Sequence, residues 1–277
     1  MKTIAITGAT SGIGYCAALE LAMQGNEIIL LARNPEKAKN CIQKIIAKTG
    51  NNNLHYIPCE LFSQKSVRAA GDLANKQFEK IDVLINNAGG IRANRVVGED
   101  GIEWTFAVNY ISPLLLSFLL MDKIKSAGNG RIVNTSSVAH RIGKINFENL
   151  NGEKQYNMWL TYGTAKLAII MGTYSLAFHL KNADVTVNTI HPGIIATPFG
   201  SEHGGGLKWM MPLYKPFSIS PKKGAETIVY LASSKEDETI SGKYWVKCKA
   251  VSSSKKSYDA IIGKELWERS LNLAGIT

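Results

Sequence analysis

Three groups of residues in this sequence have types and spacings that could do chemistry. The first is Thr7-Gly8-Ala9-Thr10-Ser11-Gly12-Ile13-Gly14, lying between an apolar run and a helix-length segment. Glycines there allow a tight turn and let backbone N–H groups at a helix N-terminus approach a phosphate. Gly8, Thr10, Ser11, Gly12, Ile13 and Gly14 are therefore read as a pyrophosphate cradle, although the G-x-x-x-G-x-G spacing departs from G-x-G-x-x-G. The second group is Arg33 with Asn34, closing the next apolar run. NAD-binding folds place an acid about 20 residues after the glycine turn to hold a ribose hydroxyl. Here Arg33 falls at that point, and a guanidinium pairs bidentately with a 2′-phosphate, which favours NADP(H). The third is Tyr162 and Lys166, four positions apart and so on one helix face. A phenol has a pKa of about 10, and bringing it near 7 takes roughly 4 kcal/mol of phenolate stabilisation. A neighbouring ammonium can supply part of it. Each group alone has a plainer reading: a tight connection, a surface arginine, a chance pair.

What must position these groups is an alternation of strands and helices. Apolar runs at Thr3–Thr7, Glu27–Ala32, Leu54–Pro58, Val83–Asn86, Arg131–Thr135, Val185–Ile190 and Lys243–Val246 read as strands buried on both faces. Helices are expected at Gly14–Gln24, Pro35–Thr49, Ser63–Phe78, Trp104–Ser126, Tyr162–Lys181 and Pro221–Ser233. The expected fold is α/β, a doubly wound parallel sheet of the Rossmann type in one domain over residues 1–277. Ligands then bind outside the carboxyl ends of the strands.

Composition narrows the function classes. The four cysteines are scattered without metal-ligand spacing, so neither a metal site nor a disulfide framework is expected. The densest apolar run, Leu114–Met121, is too short to span a bilayer. The chain enters its first strand at once, and a cytoplasmic protein with no transmembrane segment is expected. The net charge is +10, but the lysines are spread along the chain and rarely alternate with aromatics. No nucleic acid is expected as a partner. The basic surface is solvated and attracts anionic cofactors and substrates.

Asn86-Asn87-Ala88-Gly89, the glycine turn and Tyr162-Gly163-Thr164-Ala165-Lys166 occur in an order that resembles the short-chain dehydrogenases/reductases over the whole chain. The segments Arg131–His140, Asn149–Lys154, His191-Pro192-Gly193 and Leu266-Trp267-Glu268 resemble the retinol-dehydrogenase-like branch. The resemblance implies an NADP(H)-dependent oxidoreductase interconverting an alcohol and a carbonyl. It makes Tyr162 the general acid/base, Lys166 its partner and ribose ligand, and Ser137 the substrate-polarising serine, with Ser136 as an alternative. It also implies that Asn109 is structural and catalytic. Asn87, Ala88, Gly89, Pro192, Gly193, Ile195 and Thr197 should line the cofactor cleft, with Glu60 and Leu61 at the adenine; family members usually carry Asp where Glu60 stands.

Physical chemistry adds detail to that resemblance. Pro113 has no N–H, so the Asn109 carbonyl lacks an i+4 donor and is free for water, the alternative being a simple helix kink with the carbonyl satisfied by a neighbour. In the family such a water links the lysine to solvent. His140 and His191 have no evident carboxylate orienter and read as structural. Residues 198–220 contain a triple glycine followed by Trp209, Met210, Met211, Tyr214 and Phe217. They are expected to form a lid over a bulky apolar substrate, with the resemblance putting Tyr156, Met158 and Trp159 on the opposite rim; the alternative is packing on the protein itself or at a dimer interface. Family members commonly form homodimers or homotetramers through the Trp104–Ser126 and Tyr162–Lys181 helices. The competing function class is a catalytically idle NADP(H)-binding sensor on the same fold.

Overall fold

The computed structural model describes residues 1–194, 218–236 and 239–276. Eight strands form one sheet in the order β3-β2-β1-β4-β5-β6-β7-β8. They are β1 (Thr3–Thr7), β2 (Glu27–Ala32), β3 (Leu54–Pro58), β4 (Val83–Asn86), β5 (Gly130–Thr135), β6 (Val185–His191), β7 (Tyr244–Val246) and β8 (Lys249–Val251). All neighbours pair in parallel except β7 and β8. The order reverses between β1 and β4, where a crevice opens at the strands' carboxyl ends.

The central strands are mostly apolar because both faces are covered, and two buried polar exceptions, Asn86 and Asn134, pair with each other. Strand alternation sends Ile28, Leu30, Val83 and Ile85 to one core and Ile29, Leu31 and Leu84 to the other. The first core is closed by α1 (Gly12–Met23), α2 (Pro35–Thr49) and α8 (Pro221–Ser233). The second is closed by α3 (Gln64–Gln77), α5 (Ser112–Leu119), α7 (Met158–His179) and α9 (Ala260–Leu273). Local signals fix several ends. The Asn34 side chain caps α2 by accepting from the Lys37 N–H, Pro35 opens that helix, and Gly50 ends it at φ 69°.

Three expectations needed correction. The single helix expected over Trp104–Ser126 is broken into α4 (Trp104–Phe106), a π turn at Ala107–Ile111, α5 and α6 (Met121–Lys125). Pro113 is the cause: with no N–H there, the register shifts so that the Ser112 N–H reaches back five residues to the Ala107 carbonyl. The helix carrying Tyr162 starts at Met158, capped by Asn157 accepting from the Leu160 N–H, so Tyr162 lies in its second turn. Finally, β8 and α9 are additional elements. Lys247 and Cys248, at φ 51° and 59°, form the two-residue turn that folds β8 antiparallel onto β7. Among the described residues no helix is long and apolar enough to cross a membrane, and no cluster of His, Cys, Asp and Glu could hold a metal ion.

Candidate active site

The glycine turn sits at the carboxyl end of β1, and its glycines are required by contact. Gly8 and Gly12 have φ of 71° and 57°, the left-handed region. A Cβ on Gly14 would stand 2.2 Å from the Gly8 carbonyl oxygen, and one on Gly8 would meet the Ala88 Cα at 2.9 Å. The Thr7 hydroxyl accepts from the Asn87 and Ala88 N–H groups at 3.0 Å each, joining the ends of β1 and β4. Asn87 donates its side-chain amide to the Thr7 and Gly8 carbonyls at 3.2 and 3.4 Å. Its amide therefore shapes the turn from behind. At the front, Ser11 makes no side-chain cap and the first turn of α1 carries no acid. Its N–H groups and positive end remain available to an anion. The turn fits a dinucleotide pyrophosphate.

Arg33, after β2, and Glu60, after β3, pair with each other. Arg33 Nη1 lies 3.3 Å from Glu60 Oε2, with both side chains partly in solvent. The other carboxylate oxygen accepts from the Phe62 N–H at 3.1 Å. Two of the cofactor residues named from sequence thus serve the protein first: Asn34 spends its side-chain oxygen as a helix cap, and Leu61 is buried with its carbonyl accepting from the Ser112 hydroxyl. Pro192 and Gly193 follow β6, and Gly193 has φ 97° with its Cβ position blocked by Ile219. The Ile219 N–H donates to the Ile194 carbonyl at 2.9 Å. Ile195, Thr197 and the lid residues 198–217 lie outside the described residues, so only Ser218–Ser220 of the expected lid are seen.

Tyr162, Ser137, Lys166 and Asn109 meet at the ends of β4 and β5, against α7. Lys166 is almost wholly buried and donates from Nζ to the Thr135 carbonyl at 2.8 Å. Gly89 leaves the space that brings Lys166 and Asn109 together: a Cβ there would stand 2.5 Å from Asn109 Oδ1 and 3.3 Å from Lys166 Nζ. Asn109 is held by its side chain, accepting from the Gly90 N–H at 3.2 Å and donating to the Gly90 and Thr105 carbonyls at 2.8 and 2.6 Å. Behind this corner, Asn86 donates to Asn134 at 2.9 Å and Asn134 to Thr173 at 3.0 Å, locking β4, β5 and α7 in register.

The two candidate serines make different contacts. Ser136 is buried and donates to the Lys166 carbonyl at 2.8 Å, tying β5 to α7. Ser137 faces the Tyr162 hydroxyl and hydrogen-bonds with it. Burial pushes the Tyr162 phenol up to about 12, and the bond to Ser137 draws it down in part. Burial also lowers the Lys166 ammonium to about 7. In the protein alone desolvation dominates both groups. The charge relation expected from sequence, in which the ammonium supplies only part of the phenolate stabilisation, also counts on the positive nicotinamide of an oxidised cofactor. His140 donates from Nδ1 to the Ser137 carbonyl at 2.7 Å and accepts at Nε2 from the Ser254 N–H at 3.0 Å. It props the serine loop and stays neutral, since burial lowers its pKa. His191 is lowered to about 4 by burial and is likewise neutral.

Two side chains behave otherwise than the sequence reading expected. Tyr156, placed on the substrate rim, turns inward: its hydroxyl donates to the Arg92 carbonyl at 2.8 Å and lies 3.4 Å from Glu103. Glu103 was not singled out at all, yet it is fully buried. Its carboxylate accepts from the Phe106 N–H at 2.9 Å, capping the helical turn that leads into Asn109. An acid between Ile102 and Trp104 in an otherwise apolar stretch was the available signal, because buried carboxylates persist only with partners.

Comparison with known proteins agrees with this geometry. A family model described as short chain dehydrogenase matches residues 2–205. The chain is 37% identical to mouse (Mus musculus) retinol dehydrogenase 13 over 99% of its length and 84% of that protein. It is 36% identical to human (Homo sapiens) retinol dehydrogenase 11, over 99% of this chain and 86% of the relative. Among solved structures, a Mycobacterium paratuberculosis protein superposes with a TM-score of 0.79 at 26% identity, covering 99% and 94% of the two chains. The fold is shared with L-sorbose reductase from Gluconobacter frateurii, complexed with NADPH and L-sorbose (TM-score 0.70, 21% identity, 88% and 94% covered). It is shared too with the 3-ketoacyl-(acyl-carrier-protein) reductase of Brucella melitensis, complexed with NADH (0.68, 22%, 88% and 95%).

Proposed function

Because the chain belongs to the short-chain dehydrogenase family, in its retinol-dehydrogenase-like branch, we propose that it is an NADP(H)-dependent enzyme in which Tyr162 moves the proton. Membership carries the coarser statement: an oxidoreductase that interconverts alcohols and carbonyls with a nicotinamide cofactor. The observation that carries the finer reading is the convergence of Tyr162, Ser137, Lys166 and Asn109 at one corner, beside a glycine cradle at the switch point of the sheet.

A nicotinamide cofactor, when bound in the cleft, would supply or take up the hydride. Everything else is work for this chain's side chains. Ser137 hydrogen-bonds the reacting oxygen and the Tyr162 hydroxyl, so both oxygens are held at one point. Tyr162 gives its proton to the oxygen of a carbonyl being reduced, or takes one from an alcohol. Burial keeps the phenol protonated in the protein alone. Lys166, pinned by Thr135, presents its charge along the same helix face and holds ribose hydroxyls. Asn109 fixes the loop of Gly89 and Gly90 against Lys166, and its backbone carbonyl holds the water through which the proton is replaced. The Arg33 guanidinium receives the 2′-phosphate.

The relatives named retinol dehydrogenase suggest a bulky apolar alcohol or aldehyde, and residues 198–220 would close over it. The test is loss of reduced-nicotinamide absorbance with NADPH and with NADH, against a panel from small polar ketones to long-chain aldehydes and retinal. The reading expects turnover of apolar aldehydes with NADPH. Tight NADPH binding with no turnover of any carbonyl or alcohol would instead mark an idle sensor.

A further inference from the structure

The Arg33–Glu60 pair has no role in proton or hydride transfer, and its position points to control over cofactor choice. Arg33 leaves the end of β2 as the adenosine-side cation, and Glu60 follows β3 on the adjacent strand. Glu60 is fixed more firmly than a surface acid usually is. Its N–H donates to the Ser66 hydroxyl at 2.9 Å, and Oε1 accepts from the Phe62 N–H at 3.1 Å. Oε2 is thereby aimed at Arg33 Nη1, 3.3 Å away. A guanidinium has five N–H donors, and this contact engages one nitrogen, so the remaining donors are free for a phosphate. A 2′-phosphate bonded to Arg33 would, however, stand within a few ångströms of the Glu60 carboxylate, with like charge. A ribose hydroxyl would suffer no such repulsion and could donate to a carboxylate.

We propose that Glu60 is a specificity-determining residue of the cofactor site: it orients Arg33 while opposing the 2′-phosphate, holding the preference for the phosphorylated cofactor at a moderate level. The inference rests on the assignment of Arg33 to the 2′-phosphate. Neutralising Glu60 without changing its shape should therefore strengthen phosphate selectivity. Glu60→Gln keeps an amide oxygen for the Phe62 N–H, so the loop after β3 retains its hydrogen bond.

The experiment is calorimetric titration of adenosine 2′,5′-bisphosphate and of AMP into wild type, Glu60→Gln and Arg33→Ala, at low and high salt. The expected result is a bisphosphate-to-AMP affinity ratio about 3- to 10-fold higher in Glu60→Gln at low salt, with the gain shrinking at high salt. An unchanged or lower ratio in Glu60→Gln, alongside a clear loss of ratio in Arg33→Ala, overturns the role of Glu60 alone and leaves Arg33 as the phosphate ligand. A wild type that binds both ligands equally, with no response to Arg33→Ala, overturns the Arg33 assignment and this proposal with it.

Discussion

The two ends of the cleft are built on opposite principles. After β2 and β3, Arg33 and Glu60 are charged, partly solvated and joined by a 3.3 Å contact. At the opposite corner Tyr162, Lys166 and Asn109 are buried, with Lys166 donating to the Thr135 carbonyl and Asn109 accepting from the Gly90 N–H. Water screens the first region, so its charges can select between cofactors yet add little to folding. Desolvation governs the second, moving Tyr162 up to about 12 and Lys166 down to about 7. A polar group there affects stability and chemistry together.

That contrast can be tested by stability, beginning with the deepest charge. Lys166 falls from 10.5 to about 7 on folding. Between those values the unfolded chain binds the extra proton, so this residue makes stability rise with pH through that window. Its favourable contribution is fully present above 10.5 and is lost as pH falls through about 7. Lys166→Met should remove a pH dependence on the order of a few kcal/mol, read from denaturant melts of cofactor-free protein, and should abolish turnover. If wild type and Lys166→Met have parallel stability–pH curves, the lysine is not desolvated as described. Next, Glu103→Ala deletes the buried cap before Asn109 and leaves the Phe106 N–H unpaired. A loss of about 1–3 kcal/mol is expected, with kcat falling more than cofactor affinity. Smallest in stability is Arg33→Asp: the melt should stay within about 0.5 kcal/mol of wild type, while the NADPH/NADH ratio of kcat/KM drops about 10- to 150-fold. A large stability loss there would erase the distinction between the two ends.

The parts of the molecule that could be read from sequence follow the same division. Strands β1, β2 and β4 match their runs because burial on both faces leaves a nearly continuous apolar signal, and the edge strand β3 matches on Leu54 and Ile57, its buried positions. The hairpin at Lys247-Cys248 carries no such signal: left-handed turns are expected at Gly or Asn, and two ordinary side chains occupy these positions. The π turn was half legible, since Pro113 announced a break but not which carbonyl would take the displaced N–H. Tyr162, Lys166 and the glycine turn were visible as spacings. What composition could not reveal is which partner each polar side chain would find. Asn34 and Asn87 looked like cofactor ligands, yet their side chains hold backbone. Tyr156 looked like a pocket wall and serves the Arg92 loop.

Tyr162→Phe separates chemistry from binding at the buried corner, because the ring stays and only the proton donor is lost. NADPH affinity measured by fluorescence quenching should stay within about 3-fold of wild type, while kcat for an accepted aldehyde falls at least about 100-fold. Turnover near the wild-type rate in Tyr162→Phe would mean that another group delivers the proton, and the assignment of this corner would be wrong.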